Sequence, residues 1–259
     1  MDQERADAYL AAMGAERPRV PDASALAELQ LRHLLRVPFE NLDIHLGQPI
    51  VLTEEALLEK IVDRGRGGFC YELNSAFGAL LAALGFQVTL LSARVFGGGD
   101  SLGIPFDHLA LRVDLDEPWL VDVGFGRFAH HPLRLLQRDE QQDPGGRFQL
   151  VERAFGDLDV LMDGKPQYRL ESRPRTLDDF TAGCWYQQTS PDSHFTQAPV
   201  CSRLTTTGRV TLSDRTLIET SGSERREEEL IGDSALLEAY RQHFGITLPS
   251  PPSRRPVGG

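Results

Sequence analysis

Apolar residues recur at helical spacing through the first third of this 259-residue chain and in strand-like runs through most of the rest. Ala6, Tyr9, Leu10 and Met13 fall at i, i+3, i+4 and i+7, and Gly14 is placed to end the helix they predict. After a connector holding Pro18 and Pro21, Asp22 or Ser24 caps a second helix with Leu26, Leu29, Leu34 and Leu35 apolar, stopping at Val37-Pro38. The stretch Pro38-Phe39-Glu40-Asn41-Leu42-Asp43 reads as an irregular turn rich in buried aromatic and polar groups. Thr53 caps a third helix, with Glu54 and Glu55 in its first turn and Leu57, Leu58, Ile61 and Val62 inside. A fourth opens at Cys70, presents Leu73, Phe77, Leu80, Leu81 and Leu84 on the same face, and ends at Gly85.

Beyond Gly85 the period shortens. Runs rich in β-branched and apolar residues cover 88–96, 109–115, 119–123, 147–153 and 158–172, the last carrying the hairpin signal Asp163-Gly164. The middle third therefore reads as antiparallel β, a small barrel or a curled sheet. Residues 176–188 suit a short helix with Phe180, Cys184 and Trp185 inward, and strand-like pieces recur at 201–206, 210–212 and 216–220. Asp233 caps a last helix with Leu236, Leu237, Tyr240 and Phe244, stopped by Gly245. Gly97-Gly98-Gly99-Asp100 is a loop and no phosphate cradle, because no Gly-Lys-Ser/Thr follows. Glu224 to Glu229 is a solvated charged run, and the Pro- and Arg-rich tail from Pro249 is expected to be disordered.

Composition narrows the function classes. A formal charge of −11 argues against nucleic acid or an anionic membrane as the main partner, though not against an anionic small molecule held locally by backbone donors. Three cysteines cannot all pair, and so sparse a count suits a reducing compartment. The longest uncharged apolar stretch, Ala76 to Val88, is too short to span a bilayer, and the N-terminus lacks the charge of a secretory leader. The expectation is a cytoplasmic protein. Cys184 and Cys201 show no metal-ligand spacing, so no metal site is expected.

Candidate chemistry starts at Arg66-Gly67-Gly68-Phe69-Cys70-Tyr71-Glu72-Leu73-Asn74. Cys70 sits in the first helical turn, where unpaired N–H groups and the helix dipole favour a thiolate. On its own a cysteine on an apolar helix face is usually a small core residue. His108 follows the turn residues Pro105-Phe106-Asp107 and opens an apolar strand, a place where a ring is held still with one nitrogen exposed, as a general base needs. Asp122 lies in an otherwise apolar strand and, if buried, must have a partner. Fourteen residues separate it from His108, which suits neighbours across a hairpin. His33, at the polar edge of its helix, and His130, His131 and His243 read as structural, and Asp107 points to the opposite face of the strand from its neighbour His108.

These motifs, with His108-Leu109 and Val121-Asp122-Val123-Gly124-Phe125-Gly126, resemble the arylamine N-acetyltransferases of bacterial type, in order and over about residues 5–245. The resemblance implies an α+β fold of three parts: an N-terminal helical bundle (1–86) carrying the nucleophile, a central antiparallel β-barrel (87–190) carrying His and Asp, and a C-terminal α/β lid (191–259). It implies a Cys70–His108–Asp122 triad and ping-pong acetyl transfer from acetyl-CoA, through an acetyl-cysteine, to an arylamine, arylhydroxylamine or hydrazine. It places Gly124, Gly126 and Gly103 at the coenzyme, and Phe39, Val95, Phe125 and Phe195 around the acceptor ring. It implies no metal, no nucleic acid and no membrane, and it allows a homodimer. The rival readings are an amide synthase of the same fold that releases a polyketide chain, a peptide or isopeptide hydrolase, and a non-enzymatic module.

Overall fold

The computed structural model describes residues 1–98 and 101–254. Helix α1 (Gln3–Met13) starts where the Asp2 carboxylate accepts from the Arg5 N–H and ends where Gly14 turns left-handed. Helix α2 (Ala23–Arg36) is capped by Asp22 rather than Ser24. The expected irregular turn folds as a short strand β1 (Phe39–Glu40) and a single helical turn α3 (Leu42–His45). Helix α4 (Glu54–Leu58), capped by Thr53, widens beyond its end so that the Arg64 N–H reaches the Glu59 carbonyl, five residues back. Helix α5 (Cys70–Ala83) follows. Every residue from Cys70 to Gly78 is buried, as befits a helix surrounded by protein on all sides.

Eight strands then form one antiparallel sheet: β2 (Gln87–Val95), β3 (His108–Asp114), β4 (Pro118–Val121), β5 (Leu133–Arg134), β6 (Gln141–Asp143), β7 (Gly146–Glu152), β8 (Leu158–Met162) and β9 (Lys165–Arg175). Their order is β5-β4-β3-β2-β9-β8-β7-β6. The outermost strands meet through a side chain. The Gln141 amide accepts from the Arg134 N–H at 2.8 Å and donates to the Arg134 carbonyl at 3.0 Å, standing in for a strand partner. The sheet is thus a nearly closed barrel. Ala110, Leu120, Phe148, Leu150, Val160 and Tyr168 fill its interior, while Leu109, Leu111, Val113 and Val121 point the other way, into the helical core around α5. Strand alternation alone makes that division.

Helices α6 (Thr181–Thr189) and α7 (His194–Gln197) lead into a second sheet of β10 (Val200–Leu204), β11 (Gly208–Ser213), β12 (Thr216–Ser221) and β13 (Glu224–Glu229), covered by α8 (Asp233–Ala239). Its order is β1-β10-β11-β12-β13, so a strand from the N-terminal part completes the lid. No helix among the described residues is long and apolar enough to cross a membrane.

Several local expectations need correcting. Trp185 is 66% exposed, because Phe180, Cys184 and Gln187 take the buried side of their segment at i, i+4 and i+7. The charged run 224–229 is solvated as expected, exposed along its whole length, and forms a regular edge strand whose charged side chains blunt an open edge. Asp233 pairs with Arg215 and does not cap α8; Gly232 holds that position. The tail packs back as far as Arg254: Pro252 is buried and the Ser253 N–H donates to the His45 carbonyl. Residues 255–259, and Gly99 and Asp100 of the triglycine loop, lie outside the described residues.

Beneath the start of α5 sits a buried cluster of charges. Arg66 donates from Nε to Glu40 Oε1 at 2.9 Å and from Nη2 to Asp43 Oδ1 at 2.8 Å. Lys60 Nζ lies 2.7 Å from Asp43 Oδ2 and 2.7 Å from Glu72 Oε1. Removing the guanidinium would leave two buried carboxylates short of a cation. Arg66→Ala is therefore expected to cost about 3–5 kcal/mol. A fall in melting temperature of roughly 10 °C in a calorimetric scan is the corresponding check.

Candidate active site

The chain delivers three functional side chains to one place by three local devices. Cys70 is the first residue of α5 and only 3% exposed. Its turn is held by Glu72, whose Oε2 accepts from the Phe69 N–H at 3.1 Å. His108 begins β3 two residues after a left-handed Phe106 (φ 59°), whose carbonyl accepts from the Tyr71 hydroxyl at 2.7 Å. Asp122 follows β4. The β3–β4 register pairs Leu111 with Val121. Continued by one residue, it sets Asp122 opposite Ala110, on the same sheet face as His108 and two residues from it.

The contacts are short and buried. His108 Nε2 donates to Asp122 Oδ2 at 2.7 Å. Asp122 Oδ1 accepts from Asn74 Nδ2 and from the Gly124 N–H, each at 2.9 Å. Asn74 also donates to the Leu109 carbonyl at 2.6 Å and accepts from the Val123 N–H at 2.9 Å, so one side chain ties α5 to both strands. Burial alone would lower the His108 pKa. The Asp122 carboxylate, and after it the interaction with the Cys70 side chain, outweigh that and push it up to about 10. At neutral pH the ring is an imidazolium. Burial holds the Cys184 and Cys201 thiols well above their ordinary range, so these two remain protonated.

Gly124 permits this assembly. A Cβ there would stand 2.6 Å from the Cys70 Cα and 2.8 Å from Asn74 Nδ2, so only glycine lets the loop after Asp122 approach α5. Gly126 adopts φ 88° and faces open space. Gly103 differs from the expectation of a ligand donor. Its N–H is spent on the Val95 carbonyl at 2.8 Å and its carbonyl accepts from Arg94 Nε at 2.9 Å.

The four apolar positions divide into two groups. Phe39 and Phe195 lie 6.2 Å apart, with Phe195 5.3 Å edge-on to Phe69, the residue before Cys70. Phe125 packs 5.1 Å from the His108 ring, and both Phe125 and Val95 join the barrel-side cluster. Tyr168 completes that side, 5.1 Å from His108 and 5.1 Å from Phe125. Its hydroxyl faces Asp122 without meeting hydrogen-bond geometry, and burial holds its pKa well above the ordinary value. Sequence reasoning gave Asn74 no part in the site and passed over Tyr168. A polar residue four positions after Cys70 on an otherwise apolar face was the available signal for Asn74; Tyr168 offered none. Asp107 turns away from His108, as alternation requires, and accepts from Gln187 and the Val95 N–H. His33 is wholly buried rather than at a polar edge, neutral beside the Tyr9 hydroxyl.

A cleft of about 860 Å³ opens beside the loop after Asp122, between the barrel and the lid sheet. Arg127, His130, Arg209, Arg225 and Thr207 line it. Arg209 donates to the Gly126 carbonyl at 2.9 Å and to Ser202 Oγ at 3.1 Å, both neutral acceptors. Burial, followed by the repulsion of Arg127, pulls its pKa down to about 10, which leaves it charged at neutral pH. Among the described residues no group of His, Cys, Asp or Glu is arranged to hold a metal ion.

The family model for N-acetyltransferase matches residues 22–252. The arylamine N-acetyltransferase of Mycolicibacterium smegmatis is 38% identical over 93% of this chain and 91% of its own length. The arylamine N-acetyltransferase / N-hydroxyarylamine O-acetyltransferase of Salmonella typhimurium is 32% identical over 92% and 88%. Among solved structures, the Salmonella typhimurium arylamine N-acetyltransferase superposes with a TM-score of 0.89 at 31% identity, covering 95% of this chain and 92% of that one. The M. smegmatis enzyme superposes at 0.85 and 35% identity, covering 93% and 92%.

The raised His108 pKa has a definite sign in stability. Holding the imidazolium contributes fully below the ordinary value of about 6.5 and is lost as pH climbs through about 10. Asp122→Asn is expected to lower the His108 pKa, leaving only the Cys70 side chain to oppose burial. Nitrogen-15 NMR titration of His108 reads this directly. A His108 pKa unchanged from wild type in that variant would contradict the pairing.

Proposed function

This chain belongs to the arylamine N-acetyltransferase family, and we propose that Cys70, His108 and Asp122 carry an acetyl group from acetyl-CoA to the nitrogen of a small aromatic amine or hydrazine. The observation that carries this reading is the buried 2.7 Å contact of His108 with Asp122, with Cys70 at a helix N-terminus and among the groups that raise the pKa of the same ring. In the first half-reaction the Cys70 thiolate attacks the thioester carbonyl, and negative charge develops on its oxygen. The unpaired N–H groups of the first α5 turn are the donors to receive it. As the intermediate collapses the carbon–sulfur bond to the coenzyme breaks, the departing thiolate takes the His108 proton, and acetyl-cysteine remains.

The acceptor nitrogen then attacks that acetyl group. Neutral His108 takes the proton the nitrogen gives up, and the Cys70 thiolate leaves as the amide forms. Asp122 keeps one tautomer of His108 in place through both halves and stabilises its charged form. Phe125 beside His108, and Phe39 and Phe195 beside Phe69, supply apolar surface for an aromatic ring on either flank of the sulfur. The arginine-lined cleft supports a phosphate-bearing donor. Among the described residues Arg209 has no carboxylate partner, and its hydrogen bond to Gly126 sets it beside the loop that packs on Cys70. Three unpaired cysteines support a reducing, cytoplasmic setting.

Intact-protein mass spectrometry after mixing with acetyl-CoA alone is expected to show one added acetyl group, absent in Cys70→Ala and lost on adding an aromatic amine or hydrazine. Acetylation at lysine with Cys70 untouched would overturn the mechanism. Arg209→Gln is expected to raise the KM for acetyl-CoA about tenfold, the equivalent of one charge-assisted hydrogen bond, and that for p-nitrophenyl acetate far less. Steady-state kinetics with the two donors decide this.

A further inference from the structure

The backbone turn that carries Cys70 is held from below by a carboxylate. The Gly68 carbonyl accepts from the Glu40 N–H at 2.9 Å, and the Phe69 N–H donates to Glu72 Oε2 at 3.1 Å. A Cβ on Gly68 would stand 2.6 Å from that same oxygen, so Glu72 lies directly against the turn. Its other oxygen, Oε1, accepts from Lys60 Nζ at 2.7 Å. Glu72 and Lys60 are both buried.

The cluster holds three acids, Glu40, Asp43 and Glu72, against two cations, Lys60 and Arg66. Arg66 serves Glu40 and Asp43, while Lys60 divides itself between Asp43 and Glu72. Glu72 thus has the smallest share of positive charge. The groups facing it are Lys60 from the turn after α4, Glu40 from β1, Asp43 from α3 and the Cys184 thiol from α6. Burial is the largest influence on its carboxyl. Together with Glu40 and Asp43 it outweighs the pull of Lys60 and pushes the pKa up to about 7.

We infer that Glu72 is a positioning residue for Cys70, its carboxylate clamping the turn before the nucleophile, with Lys60 as the counter-ion that keeps the clamp closed. This rests on the reading of Cys70 as nucleophile. In the ionised form each Glu72 oxygen accepts from one donor. Protonated, one oxygen becomes an O–H and loses either Phe69 or Lys60, so the turn slackens as pH falls through neutrality. The Cys70 Cα packs against Gly124, so movement of the turn alters the distance from sulfur to imidazole. A glutamate serving only as an exposed helix cap would stay ionised over the same range.

Alkylation of Cys70 by iodoacetamide, followed by peptide mass analysis, tests this without any acetyl donor, and Cys184 and Cys201, whose thiols burial keeps protonated, serve as internal controls. The wild-type rate is expected to rise with an inflection near pH 7, where His108 keeps its charge. Glu72→Gln should slow alkylation about ten- to a hundredfold and remove the inflection. The double variant Lys60→Gln/Glu72→Gln, with an amide pair in place of the ion pair, should recover most of the rate and remain flat across the neutral range. An inert wild-type Cys70 would overturn the nucleophile reading and this inference with it. A reactive wild type whose inflection persists in Glu72→Gln would overturn the clamp alone, as would a double variant that melts normally yet stays as slow as the single one. Should the double variant fail to fold, Glu72→Gln decides the matter, since it keeps the 2.7 Å contact of Lys60 with Asp43.

Discussion

An ionised carboxylate taken out of water must be met on both oxygens, and Asp122 imposes that demand on everything around it. Its partners come from three separate elements: His108 at the start of β3, Asn74 on α5, and the backbone of Gly124 beyond β4. Satisfying one side chain therefore fixes the distance between the helical bundle and the barrel. It also fixes where the sulfur stands, because the loop that bonds Asp122 packs against the Cys70 Cα. The apolar core between α5 and β3 supplies the bulk of the driving force; the carboxylate selects one arrangement of it.

The ion cluster under α5 plays the matching part on the other side of the nucleophile. Buried ion pairs contribute little net stability against well-packed apolar replacements, yet breaking one is costly, so such a cluster restricts geometry more than it raises stability. Here it joins Glu40 on β1, Asp43 on α3, Lys60 after α4, Arg66 and Glu72. Since β1 is also an edge strand of the lid sheet, the lid, the bundle and the nucleophile's turn share one electrostatic joint. Cys70 is thus gripped from the barrel by Asp122 and the Gly124 loop it holds, and from the bundle by Glu72.

Charge is distributed in a way the total conceals. The chain is acidic overall, but the cleft between barrel and lid carries Arg127, Arg209 and Arg225. A local positive potential in an acidic molecule discriminates against large polyanions while admitting a small anionic ligand. The cleft adjoins the Gly124–Gly126 loop, which Arg209 meets at the Gly126 carbonyl and which packs on Cys70 at Gly124.

Much of this was legible in the residues. Helical spacing in the first third and alternation in the second are consequences of local geometry, and the elements found at 3–13, 23–36, 70–83, 87–95 and 108–114 follow them. Cys70, His108 and Asp122 could be named because each combines a reactive group with an awkward local setting: a sulfur in a first helical turn, a ring at a strand edge, an acid in an apolar strand. Distance decided the rest. That Asn74 bridges α5 to β3, that β1 crosses to the lid, and that Trp185 faces solvent all depend on which elements pack together, which no local pattern records. The same holds for the cluster of Glu40, Lys60, Arg66 and Glu72. Its members lie up to 32 positions apart, and each alone reads as an ordinary charge until the fold removes the water around it.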